Sequence, residues 1–256
     1  MFGRRHDRQH LGGPGCDVLR SETMARLAEI RPSCRLASGG LEAGKLAQQF
    51  VDQLAAAPAF GAVGSGRARE LGSHAKTLGR RVALLTGRNP HRHPVIHESL
   101  AAAGVSVLPL AWTTDQAEPD LDFVVQLAGQ LRAADADALI AVGGGAVLDA
   151  AKAAAAFAAN PGDPFRYLEV IGEGLPLTHA PLPVLAVPTT AGTGSEVTRN
   201  AVINVISHRA KVSVRHPQLL PRIALVDPAL THSLSRELTA TTGMDALTQC
   251  LEPLVS

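Results

Sequence analysis

The stretch ALIAVGGGAVLDAAKAAAAFAA, Ala138 to Ala159, decides the fold. An apolar run reads as a buried strand and enters three consecutive glycines, Gly143, Gly144 and Gly145, which lead straight into an alanine-rich helix. Glycines allow a tight strand-to-helix turn and let a ligand approach backbone N–H groups with no Cβ in the way. The helix amino terminus adds unpaired donors and a partial positive potential, which suits a pyrophosphate. The spacing is neither the dinucleotide fingerprint GxGxxG nor the phosphate-binding loop GxxxxGK[ST].

The pattern repeats on both sides of this stretch. Before it, RVALLTG at 81–87 reads as a strand stopped by Gly87, HESLAAAG at 97–104 as a helix, VSVLPL at 105–110 as a strand, and 121–134 as an amphipathic helix with Phe123, Leu127 and Leu131 on one face. After it, 182–187 reads as a strand, 202–206 with 212–214 as a hairpin, and PRIALVDP at 221–228 as a further strand. Strands alternating with helices predict an α/β fold built on a parallel sheet covered on both faces. Ligands of such sheets bind beyond the carboxyl ends of the strands, where Gly87, the glycine triplet and the loop after Pro188 emerge.

Two further groups of residues draw attention. Asp149 and Lys152 stand three apart on the alanine-rich helix and share a face. They are either a local ion pair that solubilises the helix or a ligand-facing pair in which Lys152 offers charge to an oxygen. The loop Thr189-Thr190-Ala191-Gly192-Thr193-Gly194-Ser195-Glu196 clusters hydroxyls and glycines just past a strand. A plain surface turn accounts for that composition, and so does a cradle for phosphate and nicotinamide.

Composition excludes several classes. The chain has 256 residues, 46% of them hydrophobic, with a formal net charge of +1. It is long enough for a sizeable core, and it has no global field calling for nucleic acid or an anionic membrane. The alanine-rich tract is broken by Asp149 and Lys152, so no run reaches the roughly 18 uncharged apolar residues of a membrane helix. Cys16, Cys34 and Cys250 form no CxxC pair, which fits reduced thiols in a cytoplasmic setting. Residues 1–57 read as an N-terminal extension, with a short amphipathic helix expected over Leu41 to Leu54.

The blocks GGGAVLDAAK, PTTAGTGSEVT, LVDPALT and TGMDALTQCLEP, in that order, resemble the iron-containing, or group III, alcohol dehydrogenases. The likeness runs from near Phe60 to the end of the chain. It implies a Rossmann-like dinucleotide-binding domain over 58–231, followed over 232–256 by the start of an all-helical metal and substrate domain, in a C-terminally truncated member. It also implies an oxidoreductase that transfers hydride between an alcohol or aldehyde and NAD or NADP, working as a homodimer, with Fe(2+) or Zn(2+) in full-length relatives. An inactive nucleotide-binding fragment or pseudoenzyme of the same family is the alternative. By resemblance the cofactor falls to Gly87, Gly143, Gly144, Gly145, Asp149, Lys152, Thr189, Thr190 and Ser195, and the first metal ligand to Asp245.

Three departures from the family pattern carry chemistry. Ala146 replaces a serine after the triplet and removes one hydroxyl. Gly87 stands where NAD-preferring relatives often place an aspartate on the adenosine ribose. With Arg88 beside it, NADP becomes acceptable provided Arg88 faces that ribose. Gln249 replaces the histidine four residues after Asp245, so metal binding is expected to be weakened or changed in kind. Asp245 has a second account, as a helix residue with only a structural bond. Leu247, Leu251 and Leu254 are expected to remain exposed.

Overall fold

A computed structural model of the chain describes residues 60–255. The helix expected over Leu41 to Leu54, and the extension 1–57 around it, lie outside the described residues. Among the described residues the strands are β1 (Phe60–Val63), β2 (Val82–Thr86), β3 (Val107–Leu110), β4 (Ala138–Gly143), β5 (Val184–Pro188), β6 (Asn200–Val205), β7 (Ala210–Arg215) and β8 (Ile223–Val226). The helices are α1 (Leu71–Lys76), α2 (Pro94–Ala102), α3 (Leu121–Ala133), α4 (Gly145–Ala159) and α5 (Arg236–Val255).

Six strands form one sheet in the order β1-β8-β5-β4-β2-β3, and every pairing in it is parallel. The α/β expectation therefore holds. The central strands are continuous apolar runs because both of their faces are covered. Alternate residues feed two cores: Ala83, Leu85, Leu139 and Ala141 pack with α3 and α4, while Val82, Leu84, Ile140 and Val142 pack with α1 and α2. The chain steps outward from β2 to β3, then returns past β2 to β4. That reversal opens a crevice between the carboxyl ends of β2 and β4, where open sheets of this kind receive ligands.

Helix α4 is the most enclosed helix among the described residues. Ala150, Ala151 and Ala153 through Ala156 are fully buried, because the helix packs against the sheet, α3 and β6 at once. A helix enclosed on so many sides needs small side chains, which accounts for its alanines. Helix α3 presents the expected face, with Phe123, Leu127 and Leu131 all buried. Burying each contributes about 1.5–3 kcal/mol. Its N-cap Asp120 accepts a hydrogen bond from the Phe123 amide at 2.8 Å.

Two elements differ most from the sequence reading, the other bounds shifting by two residues or fewer. Helix α2 begins at Pro94 rather than 97, because proline at the first helical position needs no N–H partner. Strand β1 pairs with β8 along Phe60–Val63 and extends the sheet by one strand. The hairpin is β6–β7, antiparallel from Asn200↔Arg215 to Val205↔Ala210. No helix among the described residues is long and apolar enough to cross a membrane.

Candidate functional site

The glycine turn, the threonine loop and α5 meet at one cleft. Gly144 is the N-cap of α4 in an extended conformation, with no side-chain cap, so the first amides of the helix, Gly145 and Ala146, lack an intrahelical acceptor. A Cβ on Gly143 would sit 2.5 Å from Val147 Cγ2. One on Gly145 would sit 2.7 Å from Thr193 Cγ2, and one on Gly144 would lie 3.2 Å from Thr190 Cγ2. The triplet is glycine because neighbouring side chains close over it. The Thr189 amide donates to Gly143 O at 2.9 Å, binding the two loops side by side. These residues fit a pyrophosphate: free amides at a helix start, no Cβ in the approach, and hydroxyl side chains opposite.

Asp149 and Lys152 do not form a surface pair. Lys152 is fully buried, which removes the account in which the pair merely solubilises the helix. Its ammonium donates to Ser195 O at 3.0 Å and Thr198 Oγ1 at 3.1 Å, and meets Asp149 Oδ1 at 3.0 Å. Three acceptors match the three N–H groups of an ammonium. Asp149 in turn accepts from Ser195 Oγ at 2.5 Å and from the Val202 amide at 3.1 Å. The pair thus bolts α4 to the threonine loop and to β6. Burial lowers the Lys152 pKa, against the opposing pull of Asp149 and Glu196.

The cleft has a volume of about 280 Å³, and its walls include Gly145, Thr193, Ser195, Lys211, Asp245 and Gln249. Gly192 sits so close to α5 that a Cβ would lie 2.7 Å from Thr242 O. This packing sets Asp245 and Gln249 across the cleft from the glycine turn. Gly87, Thr189 and Thr190 stand at the same carboxyl edge, at the ends of β2 and β5. Thr189 is buried and Thr190 half-buried.

Arg88 Nη2 donates to the carbonyls of Asp115 at 2.5 Å and Gln116 at 3.2 Å. Its side chain is therefore held against the loop after β3. A Cβ at Gly87 would meet only Val147 Cγ2, at 3.9 Å, so an aspartate would fit there. The missing carboxylate changes the charge of the site and is not forced by packing.

The donor set around Asp245 does not fit a firm metal site. Gln249 Nε2 donates to Asp245 Oδ2 at 3.1 Å, so the amide is engaged as a donor and offers only a neutral oxygen to a metal. Among the described residues, no group of three or more His, Cys, Asp or Glu side chains is placed to hold an ion.

The sequence reading did not single out Thr193, Thr198, Lys211 or Glu118. Thr193 lies inside the hydroxyl loop and carried a signal. Lys211 and Glu118, paired at 2.6 Å across 93 positions, carried none. Asp227 was also missed. It is buried and accepts from the amides of Gly66 at 3.1 Å, Ala68 at 2.9 Å and Ala229 at 3.0 Å. Burial works to raise its pKa, but these three donors, with Arg69, bring it below the ordinary aspartate value.

A parallel sheet with a glycine-lined helix start at its crossover crevice defines a Rossmann-like α/β protein. Residues 58–228 match the profile of iron-containing alcohol dehydrogenases, and the chain belongs to that family. It is 41% identical over 138 residues to a 4-hydroxybutyrate dehydrogenase of Cupriavidus necator, covering 54% of this chain and 36% of that one. It is 34% identical over 207 residues to an NAD-dependent methanol dehydrogenase of Bacillus methanolicus, covering 78% and 52%. Among solved structures, the sulfoacetaldehyde reductase of Bifidobacterium kashiwanohense in complex with NAD+ superposes with a TM-score of 0.69 at 30% identity, covering 76% of this chain and 51% of that one. The chain spans about a third to a half of the length of these relatives.

Proposed function

We propose that this chain binds a nicotinamide dinucleotide along the carboxyl edge of its sheet and serves hydride transfer between that cofactor and an alcohol or aldehyde. The observation that carries this reading is the start of α4, where Gly144 packs against Thr190 and where Gly145 and Thr193 line the cleft that Asp245 also lines. The amides of Gly145 and Ala146 take the pyrophosphate, with the helix dipole behind them. Asp149 and Lys152 position the loop carrying Thr193 and Ser195, and so act on the cofactor through that loop. When bound, the nicotinamide supplies the site that accepts or returns the hydride. The protein's part is to hold it still and exclude water.

Gly87 supports acceptance of NADP as well as NAD, since no carboxylate repels a 2′-phosphate there, while Arg88 is tied to the carbonyls of Asp115 and Gln116 and adds to that reading only if it turns to the ribose. Asp245 remains the residue proposed for a metal, Fe(2+) or Zn(2+), although Gln249 beside it argues for weak retention and no step is assigned to the ion. A homodimer is supported by the exposed Leu247, Leu251 and Leu254 on α5, and a cytoplasmic setting by the exposed free thiol of Cys250.

The test is fluorescence titration of the purified chain with NADH and with NADPH. Saturable binding at one site per chain is expected, lost when Gly145 is replaced by aspartate, whose charge repels the pyrophosphate. A folded chain that binds neither nucleotide contradicts the reading.

A further inference from the structure

A second cavity, of about 510 Å³, lies between the loops that follow β1, β2 and β8, and none of its lining residues belongs to the cofactor cleft. We propose that it binds the phosphate group of a small, partly apolar molecule, with Arg69 and Arg92 as the charge partners. Arg69 reaches it from the turn after β1, Arg92 and His93 from the segment leading into α2, and His232 from the turn after β8.

The charge balance of the lining favours an anion. Asp227 is its only acid among the described residues, and that carboxylate accepts from three backbone amides. Two permanently charged guanidinium groups stand against one carboxylate, so the lining keeps a net positive charge even though Asp227 attracts Arg69 electrostatically. Arg92 Nη2 donates to Ser233 O at 2.9 Å, which ties the exposed side chain to the loop after β8 and leaves the rest of the guanidinium fork for a ligand. Among the described residues, the side chain of Arg69 donates no hydrogen bond to a protein acceptor.

The other walls define what the phosphate is attached to. Pro94, Val95 and Leu230 line the cavity beside the arginines, and the volume exceeds what a bare phosphate fills. Guanidinium groups recognise phosphate by paired N–H donors. A phosphomonoester carries close to two negative charges near neutral pH and so matches two arginines better than a monocarboxylate does. The first turn of α2 forms part of the wall and adds the positive end of a helix dipole.

The proposal is independent of the dinucleotide reading, and its test keeps the two apart. The full chain is titrated calorimetrically with inorganic phosphate at low ionic strength, beside Arg69→Gln, the double variant Arg69→Gln/Arg92→Gln, and Lys211→Gln in the cofactor cleft. Saturable phosphate binding is expected, weakened several-fold in Arg69→Gln, at least about tenfold in the double variant, and unchanged in Lys211→Gln. Phenyl phosphate should bind more tightly than inorganic phosphate. Arg69 is exposed, so the single variant remains informative if the double variant folds poorly. Absence of saturable binding overturns the proposal. So does equal binding by wild type and Arg69→Gln, or loss of binding in Lys211→Gln alone, which would place the phosphate in the cofactor cleft.

Discussion

Two helices carry an aspartate followed within one turn by a polar partner, and the two pairs have opposite fates. On α4, Lys152 is fully buried and Asp149 is half-buried at the cleft wall, and the two engage Ser195, Thr198 and Val202 from two other elements. On α5, Asp245 and Gln249 are exposed and share a single hydrogen bond of 3.1 Å. The spacing along the chain is nearly the same. The difference lies in what surrounds each pair: removing water leaves the first no alternative partners, while the second exchanges with solvent at little cost. Spacing thus identifies which side chains share a face, and packing decides whether their bond organises anything.

The largest effect is expected at Lys152. Replacing Lys152 with methionine keeps its length but leaves Asp149 charged beside Ser195 O and Thr198 without their donor. Removing one partner of a buried pair costs about 3–5 kcal/mol. For a domain of this size that lowers the melting temperature by roughly 10 °C, and the loosened Ser195 loop should lose NADH affinity in the same preparation. Lys152 also gives a signed pH test. Its folded pKa lies below the ordinary value of 10.5 because burial disfavours the charged form. Between those two pKa values the unfolded chain binds more protons than the folded one, so stability rises with pH on approaching 10.5. Chemical denaturation should show that rise in the parent and its loss in Lys152→Met. An unchanged melt and unchanged NADH binding would mean that the α4 pair is no more organising than the α5 pair.

Next comes Gly145. Its replacement by alanine places a Cβ 2.7 Å from Thr193 Cγ2, and an overpacked contact of this kind costs about 1–3 kcal/mol. Relief by displacing Thr193 disturbs the loop that faces the helix amides, so NADH affinity should fall more than stability does. Adding Thr193→Ala should restore part of that affinity, because it removes the atoms in collision. A loss of affinity that Thr193→Ala leaves untouched would place the cofactor's demand on Gly145 itself and not on the gap between the loops.

Much of this architecture was legible in the sequence because buried parallel strands are written as short apolar runs. β2, β4, β5 and β8 could be read in this way, as could the face of α3. β1 could not: FGAV is four residues with a glycine, too short to show a period, and its strand character comes from pairing with β8. The glycine turn was legible for a local reason, since a strand must meet a helix within three residues. The burial of Lys152 was not, because a lysine reads as surface until the elements enclosing it are assembled. Asp227 was hidden in the same way: two of its three donors, Gly66 and Ala68, lie about 160 positions away.

Asp227 extends the comparison to a carboxylate that is buried without a cation bonded to it. Its partners are three backbone amides at the turns after β1 and β8. Asp227→Asn keeps the shape but replaces one acceptor oxygen with a donor, leaving at least one amide facing an N–H group. The expected cost is about 1–3 kcal/mol. Because the folded pKa lies below the ordinary 3.8, the carboxylate's contribution is fully present above that value and is lost as pH falls through the lower folded value. The difference in denaturant midpoint between parent and Asp227→Asn should therefore narrow in acid. A difference that stays constant down to pH 2 would assign the effect to shape and not to charge.

The smallest effect on stability belongs to α5, and there the useful measurement is metal content. Asp245→Ala should change stability by no more than about 0.5 kcal/mol, as for surface positions generally. Gln249→His tests why this pair organises nothing. It places an imidazole one turn after a carboxylate, two ligands on one helix face, where the parent offers a carboxylate and a neutral amide already hydrogen-bonded to it. Calorimetric titration with Zn(2+) should show affinity rising at least about tenfold over the parent, since imidazole is the better ligand for this ion. The gain should vanish when Asp245→Ala is added, which separates a two-residue site from adventitious binding by other histidines. If parent and Gln249→His bind zinc equally, the amide is not what weakens this site. Helix α5 would then differ from α4 in solvent exposure alone.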